Sequence, residues 1–416
     1  MNTNPVRGTR DYLPEEMRIR DAMQNIILRS YLNNGFTKIE TPILEDIERL
    51  DKSEGGENLN LIFKILKRGQ KLDLTKDNLT ENDLVDIGLR FDLTLPLCRY
   101  YANNRAKLRL PFKVIQIGKV YRAERPQKGR LREFYQCDID IIGDSTINAE
   151  IELIHTTAKT LLKLGFEDFT VRINDRRILF DVILSAGFKE EDILSVCISF
   201  DKLDKIGLEG VKEELLQKEF AVENVDKFIA SISADNAKGL EGITEYCSNR
   251  QVIDQLQVII DSVEKLAKGK FKIEYDKSLV RGMGYYTGTI FEIVSPEFKG
   301  SIAGGGRYDK MIGNMIGEDI PAVGFSIGFE RIAEILLNSD KIKLKLEDKR
   351  LALLYDEQDS FVDVIEKADE LREKGYDVST ILKAKKLGRQ FATLEREGFE
   401  GALVYGETEI RQFSTD

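Results

Sequence analysis

The sequence predicts an α+β protein with a helical insertion and a small α/β domain at its C-terminal end. Three observations predict it. Residues 112–143 read as two long strands joined by a charged, turn-prone RPQKG loop, which makes a hairpin. Residues about 177–262 carry helical stretches with frequent charges, such as VKEELLQKEF and VIDQLQVIIDSVEKLAKG. From Arg350, the segments RLALLYD, YDVSTIL and GALVYG alternate with two helical patterns, the βαβαβ signature of a parallel sheet with helices on its faces.

Composition narrows the function. A chain of 416 residues can build two or three domains with a substantial core. Its net charge of -10 means that nucleic acid would have to be met by local basic patches. Cys98, Cys137, Cys197 and Cys247 form no CxxC pair, and the N-terminus is not signal-like, which predicts free thiols in a reducing cytoplasm. No apolar run reaches the roughly 20 residues that span a bilayer, so no membrane is expected. With one histidine, His155, a histidine-based triad and a structural histidine/cysteine metal site are nearly excluded. His155 shares a helix with Ile151 and Ala158 and reads as structural.

In chain order, residues about 14–33 read as a helix ended by NNG, with Gly35 in the left-handed position. FTKIETPILED reads as a strand interrupted by Pro42, at an edge or interface. LRFDLTLPLCRYY turns from strand to helix. After the hairpin, Asp144 or Ser145 can cap the helix INAEIELIHTTAKTLLKLG. Beyond the insertion, strands resume over FKIEYDKSLVRGMGYYTGTIFEIVS, IAGGGRYDKMIG reads as a close-packed hairpin strand, and AVGFSIGFERIAEILL as strand then helix. The core is expected over 1–335, a charged linker over 336–349, and the last domain over 350–416.

The charged hairpin carries the chemistry. Arg105, Lys107, Arg109, Lys113, Lys119, Arg122, Arg125, Lys128, Arg130 and Arg132 lie within one stretch whose only acid is Glu124. A solvated basic hairpin is the plain reading. Against it, Arg122 sits at a strand end among apolar neighbours, and Phe134, Gln136, Asp138 and Asp140 alternate onto one face. An arginine, a ring and carboxylates together suit a nucleotide phosphate, its base and an amine. Asp92 and Thr94 lie at a strand end, where Asp92 is equally a helix cap. In SLVRGMGYYTGTIFE, Arg281 and paired tyrosines stand among glycines that leave room for a ligand. Arg331 opens a helix after a Gly-rich strand and reads equally as a surface side chain.

Taken together, these segments resemble class II aminoacyl-tRNA synthetases, and within them the histidyl-tRNA synthetase family. GFTKIETPILED is similar to the family's first motif, with Pro42 at a dimer interface. YRAERPQKGRLREFYQCDIDIIG is similar to the second and AVGFSIGFERI to the third, ending in Glu330–Arg331. LVRGMGYYTGTIFE and AGGGRYD resemble two peptides peculiar to the histidine enzymes. Five motifs in order cover residues 1 to about 335.

The resemblance implies a six-stranded antiparallel sheet flanked by helices. It implies a homodimer that joins histidine and ATP into histidyl-adenylate and passes histidine to the 3′ end of tRNA(His), with Mg²⁺ on the ATP. Carried over by position, Arg122 would hold the α-phosphate and Arg281 would contact it from the other side, the two acting as catalytic residues. Phe134 and Arg331 would sandwich adenine, and Glu124 and Arg130 would join the ATP site. Asp92, Gln136 and Asp140 would bind the histidine ammonium or hold its neighbours. Thr94, Tyr285, Tyr286, Tyr308 and Arg281 would complete the amino-acid pocket, and Gln127 and Arg130 would face the tRNA acceptor end. Such chemistry needs positioning and positive charge rather than a histidine base.

Three departures stand out. Gly284 occupies a position where the family usually has an acid. RFDLT replaces the bacterial RPEGT and keeps a carboxylate. The last domain resembles the start of an anticodon-binding domain whose final strand and helix are missing or reduced. Its basic KAKKLGR stretch (Lys383 to Arg389) suits RNA phosphates or a solvated helix start equally. A competing reading is a histidine-binding paralogue that serves as the regulatory subunit of ATP phosphoribosyltransferase. Arg122, Arg130, Arg281 and Arg331 argue against it.

Overall fold

The computed structural model describes residues 2–52, 60–126, 130–233, 236–244, 246–280, 284–339, 342, 344 and 349–413. The chain divides into two compact units, Met1–Tyr12 with Met23–Lys343, and Leu13–Ala22 with Leu344–Asp416. Numbered in chain order, the strands of the first unit are β1 (Thr37–Lys38), β2 (Leu44–Asp46), β3 (Lys64–Leu66), β4 (Val85–Leu89), β5 (Phe112–Tyr121), β6 (Glu133–Ile142), β7 (Thr170–Asp175), β8 (Lys272–Tyr275), β9 (Thr289–Ser295), β10 (Phe298–Arg307) and β11 (Ala322–Ile327). Those of the second are β12 (Arg350–Tyr355), β13 (Asp377–Leu382), β14 (Gly401–Val404) and β15 (Arg411–Gln412).

The first unit is built on a sheet of order β1-β5-β6-β11-β10-β9-β7-β8. Its six inner strands, β5 to β7 in that order, pair antiparallel throughout. The edge strands β1 and β8 add in parallel. The helix Asn148–Lys163 packs on β6 and β11, and the helix Arg250–Ala267 packs on it in turn. This is the helix-flanked antiparallel sheet that the motifs imply, widened by a parallel strand at each edge.

Glycine makes the centre of this sheet possible. A Cβ on Gly305 would collide with the carbonyl of Gly324, and one on Gly306 would lie 2.7 Å from the carbonyl of Thr289. The run of glycines in β10 is therefore a close-packed strand, as the sequence suggests, and not a phosphate loop.

Two buried arginines tie the segments together. Arg307 gives its Nε and a terminal nitrogen to the two oxygens of Glu150, each at 2.7 Å. The same glutamate accepts from the Thr289 hydroxyl at 2.8 Å. Arg90 donates to the carbonyls of Lys119 and Thr41, both at 2.8 Å, and so joins the first-motif segment to β5 near the loop end of the β5–β6 hairpin. The Thr41 hydroxyl donates to Gln116, which donates to the Leu93 carbonyl.

The helical insertion is present between β7 and β8. Its described helices include Arg176–Ser185, Ile193–Phe200, Leu203–Gln217, Val222–Ser233 and Arg250–Ala267. The Asp175 side chain caps the first by accepting from the Arg177 N–H. The initial helix is Pro14–Asn33, with Gly35 at φ 82° beyond it.

Several local expectations are corrected. Pro42 does more than interrupt a strand: the segment before it pairs with β5, and the segment after it joins a separate sheet of order β2-β4-β3. A proline can break one strand into two that serve different sheets, because it supplies no ladder N–H. Tyr285 and Tyr286 lie in the connection before β9 and not in a strand. Asp144 accepts from the Thr146 N–H and hydroxyl in a local turn, and the helix begins only at Asn148.

The second unit has the sheet order β13-β12-β14-β15. β13, β12 and β14 are parallel, with helices Phe361–Glu373 and Leu387–Arg396 between them. A fourth strand, two residues long, adds antiparallel.

Removing one partner of a buried pair leaves an uncompensated charge. Arg307→Ala is expected to destabilise the first unit by about 3–5 kcal/mol, read as a lowered midpoint in denaturant unfolding.

Candidate active site

A cavity of about 850 Å³ opens on the sheet, floored by side chains of β6, β11 and β9 and by Gly304 and Gly305 of β10. Alternation along β6 turns Gln136, Asp138 and Asp140 into it, while Cys137 and Ile139 point into the core. Gly324 on β11 leaves the space that Asp140 needs, since a Cβ there would overlap its Oδ1.

Asp92 reaches the same cavity from the turn after β4. Its Oδ1 accepts from the Leu95 N–H at 3.2 Å, while its Oδ2 is buried without a hydrogen-bond partner. It thus holds an N–H of the first turn of the helix Thr94–Asn104 and also walls the cavity. Burial pushes its carboxyl up to about 6, against the pull of the Leu95 N–H and of Arg122. Asp140 accepts from the Tyr308 hydroxyl at 2.6 Å. Burial pushes it up to about 7; the Tyr308 bond pulls it down and the Asp92 charge raises it. Burial, then repulsion from Asp140, holds Asp138 well above the usual carboxylate range.

Arg122 lines the cavity from the loop end of the hairpin. Its Nε donates to the Phe91 carbonyl at 3.0 Å, and its guanidinium lies 5.2 Å from the Phe134 ring centre. Tyr285, Tyr286 and Tyr308 form an aromatic wall, with ring centres 4.8 Å apart for the first two and 6.0 Å for Tyr285 and Tyr308. Thr94 hydrogen-bonds Tyr285. An arginine therefore stands at one end of a pocket whose floor is a group of carboxylates, a layout that can hold an anion and a cation in one molecule.

Residues 8–332 match the model of the histidyl-tRNA synthetase family. The chain belongs to the histidyl-tRNA synthetase family. A histidine–tRNA ligase of Leifsonia xyli subsp. xyli is 45% identical over 344 residues, 80% of either chain. One from Christiangramia forsetii is 34% identical over 422 residues, 97% of this chain and 92% of the relative. Among solved structures, histidyl-tRNA synthetase from Nostoc sp. PCC 7120 superposes with a TM-score of 0.79 at 27% identity, over 97% of this chain and 91% of that one. An ATP phosphoribosyltransferase regulatory subunit/histidyl-tRNA synthetase from Bacillus halodurans C gives 0.78 at 20% identity, over 98% and 100%, a likeness of fold. The function is that of a histidine–tRNA ligase: ATP activates histidine to its adenylate, and histidine passes to the 3′ end of tRNA(His).

Of the synthetase residues expected from the sequence, Asp92, Thr94, Arg122, Gln136, Asp140, Tyr285, Tyr286 and Tyr308 line the one cavity. Gly284 lines it as well. Phe134 meets the site through its contact with Arg122. Glu124 and Arg130 face each other at 3.6 Å, outside the cavity lining. Arg331 is also outside it; its guanidinium donates to the carbonyl of Ser301 and, at 3.2 Å, to the Ser301 hydroxyl. Its neighbour Glu330 accepts from the Tyr135 N–H at 3.2 Å. Arg281 and Gln127 fall outside the described residues. His155 sits on the helix Asn148–Lys163, away from the cavity lining.

The cavity also recruits residues that the sequence did not assign. Arg176 opens the insertion's first helix and lines the cavity, with Leu194, Ile198, Lys202 and Lys205 from the next two helices. No local spacing announces that these helices fold back over the site. Asp138 did carry a signal, its place on the Gln136–Asp140 face.

The raised carboxyls make stability pH-dependent. Their ordinary pKa is 3.8, so the folded protein holds their protons more tightly than the unfolded chain. The stability they contribute is complete below about pH 4 and is lost as pH rises through about 6 for Asp92 and 7 for Asp140. Asp140→Asn lacks its share of that loss. Denaturant titrations at pH 4.5 and 7.5 are expected to show the wild-type protein losing more stability than the variant over this interval.

Proposed function

We propose that this cavity is where the ligase forms histidyl-adenylate. The observation that supports it best is the sharing of one pocket by Arg122 and the acids of β6 and the Asp92 turn. The acids and Gln136 would bind the histidine ammonium group and orient its neighbours. Thr94 and the tyrosines would enclose the imidazole. A site that hydrogen-bonds a ring on both sides can discriminate by roughly 10⁴–10⁵-fold, so no editing domain is needed.

Arg122 would hold the α-phosphate at the mouth of that pocket, with Arg281 opposite. The attacking carboxylate and the phosphate are both anions and must approach to about 3–3.5 Å. Two guanidiniums offset that repulsion and gain strength as charge develops. Phe134 and Arg331 would flank the adenine, with Glu124 and Arg130 beside the nucleotide and Gln127 and Arg130 toward the tRNA acceptor end. Among the described residues no group of three or more His, Cys, Asp or Glu could hold a metal ion. Magnesium fits as a passenger on the ATP phosphates, where it would neutralise the leaving group.

The remaining assignments follow the same family. The Pro42 segment would form a homodimer interface, consistent with the exposure of Ile43 and Leu44 beside it. Free thiols at all four cysteines suit the cytoplasm. Residues 1–335 would be the catalytic core, 336–349 a linker, and 350–416 a compact anticodon-binding-like domain. There Lys385, Lys386 and Arg389 are exposed, whereas Lys383 is paired with Asp356.

Two outcomes are expected. ATP–pyrophosphate exchange should depend on histidine alone among the amino acids, and Arg122→Ala or Arg281→Ala should each lower it by ~10²-fold or more. Exchange with a different amino acid would overturn the pocket assignment. Changing Lys385, Lys386 and Arg389 together to Gln should leave exchange intact and weaken tRNA charging, with the salt dependence of tRNA binding reduced by ~0.7 in log–log slope per lost phosphate contact.

A further inference from the structure

The three tyrosines of the cavity wall stand on short irregular segments. Tyr285 and Tyr286 lie in the connection before β9, and Tyr308 lies between β10 and the helix Asp309–Ile316. A side chain on a connection is placed only as well as that connection is held, and a misplacement of about 1 Å can cost on the order of 10²-fold in rate.

Glu150 holds both segments from outside the cavity. It lies in the first turn of the helix Asn148–Lys163 and is 1% exposed. One of its oxygens accepts from the Thr289 hydroxyl at 2.8 Å and from Arg307 Nε at 2.7 Å, and the other accepts from a terminal nitrogen of Arg307 at 2.7 Å. Thr289 opens β9, just beyond the tyrosine pair, and Arg307 ends β10, next to Tyr308. The other N–H groups of Arg307 go to the carbonyls of Asp144 and Thr146 and to the Asp309 carboxylate, each at 3.2 Å. All five of its donors are therefore engaged within the protein.

The two segments are also tied to each other. The Arg307 carbonyl accepts from the Thr287 N–H at 2.7 Å, and the Thr287 hydroxyl oxygen accepts from the Asp309 N–H at 3.0 Å. The packing there is close. A Cβ on Gly288 would lie 3.2 Å from Arg307 Cδ, and one on Gly306 would lie 3.0 Å from the Tyr286 ring. Neither Glu150 nor Arg307 lines the cavity. Their bonds end on the backbone stretches from which the tyrosines project.

We propose that Glu150 is a positioning residue for the selection of histidine. Through Thr289 and Arg307 it sets the spacing between the Tyr285–Tyr286 connection and Tyr308, and with it the seat of the Tyr308 hydroxyl on Asp140. This rests on the reading of the tyrosines as the wall around the imidazole. Arg122 is held by a different segment, through the Phe91 carbonyl, so the effect falls on the amino acid and not on ATP.

ATP–pyrophosphate exchange with Thr289→Val, Thr289→Ser and Glu150→Gln tests it. Thr289→Val removes one donor from Glu150 and keeps the side-chain shape. It is expected to raise KM for histidine by about 3- to 10-fold, the scale of one intramolecular hydrogen bond, with KM for ATP within about twofold of wild type. Thr289→Ser keeps the donor and should restore the wild-type KM. Glu150→Gln, which gives Arg307 a neutral partner, should raise KM for histidine by about 10- to 100-fold, again without a matching rise for ATP. Should that variant fail to fold, the Thr289 pair decides the matter. A proportional rise in both KM values, or a fall in kcat with both KM values unchanged, would mark a role in stability alone and overturn the proposal. So would wild-type KM for histidine in Thr289→Val. Wild-type exchange that does not depend on histidine would instead overturn the reading beneath it.

Discussion

The antiparallel register between β5 and β6 governs the catalytic unit. It runs unbroken from Phe112 opposite Ile142 to Tyr121 opposite Glu133. That register sends Gln136, Asp138 and Asp140 to the cavity and Cys137 and Ile139 to the core, and it sets Arg122 at the hairpin's loop end. A slip of one residue would exchange the two faces, burying acids in the core and presenting apolar groups to substrate. Arg90 guards this arrangement by donating to Lys119 on β5 and to Thr41 on the first-motif segment.

Holding several carboxylates together away from water is costly, and the fold accepts that cost at one place. The acids of the cavity are raised in pKa by burial before any other cause. Binding an ammonium cation and an arginine-bound phosphate at either end would relieve it. In the proposed reading, the cost of burying these acids would be recovered as affinity for a molecule with separated charges. The structural ion pair of Arg307 and Glu150 is different in kind, because each partner is already satisfied within the protein.

Much of this was legible in the sequence, for identifiable reasons. The hairpin was readable because long alternation fixes both strand and face. The helix Pro14–Asn33 and its terminal Gly35 were readable from local stop chemistry. Pro42 was recognised as a break, but which sheet each half joins depends on distant partners, β5 and β4, and on no local pattern. β15 escaped notice since two residues carry no periodicity. In the site, the β6 acids could be read off because strand alternation is short-range. The contribution of Arg176, Ile198 and Lys205 could not, because it depends on how the insertion folds back on the sheet. Arg331 lies in the first turn of the helix Phe329–Asn338, as its place after a Gly-rich strand suggests, and its guanidinium donates to Ser301 and stands over the Phe298 ring.

In the proposed site, one pocket would hold the amino acid by its floor and the nucleotide by the arginine at its mouth. A crystal structure with a non-hydrolysable histidyl-adenylate analogue tests it most directly. The ammonium group is expected among the β6 acids and Asp92, the imidazole against Tyr308, and the phosphate mimic within hydrogen-bond distance of Arg122. An analogue bound with its phosphate mimic remote from Arg122, or with its ammonium group outside the acid floor, would contradict it.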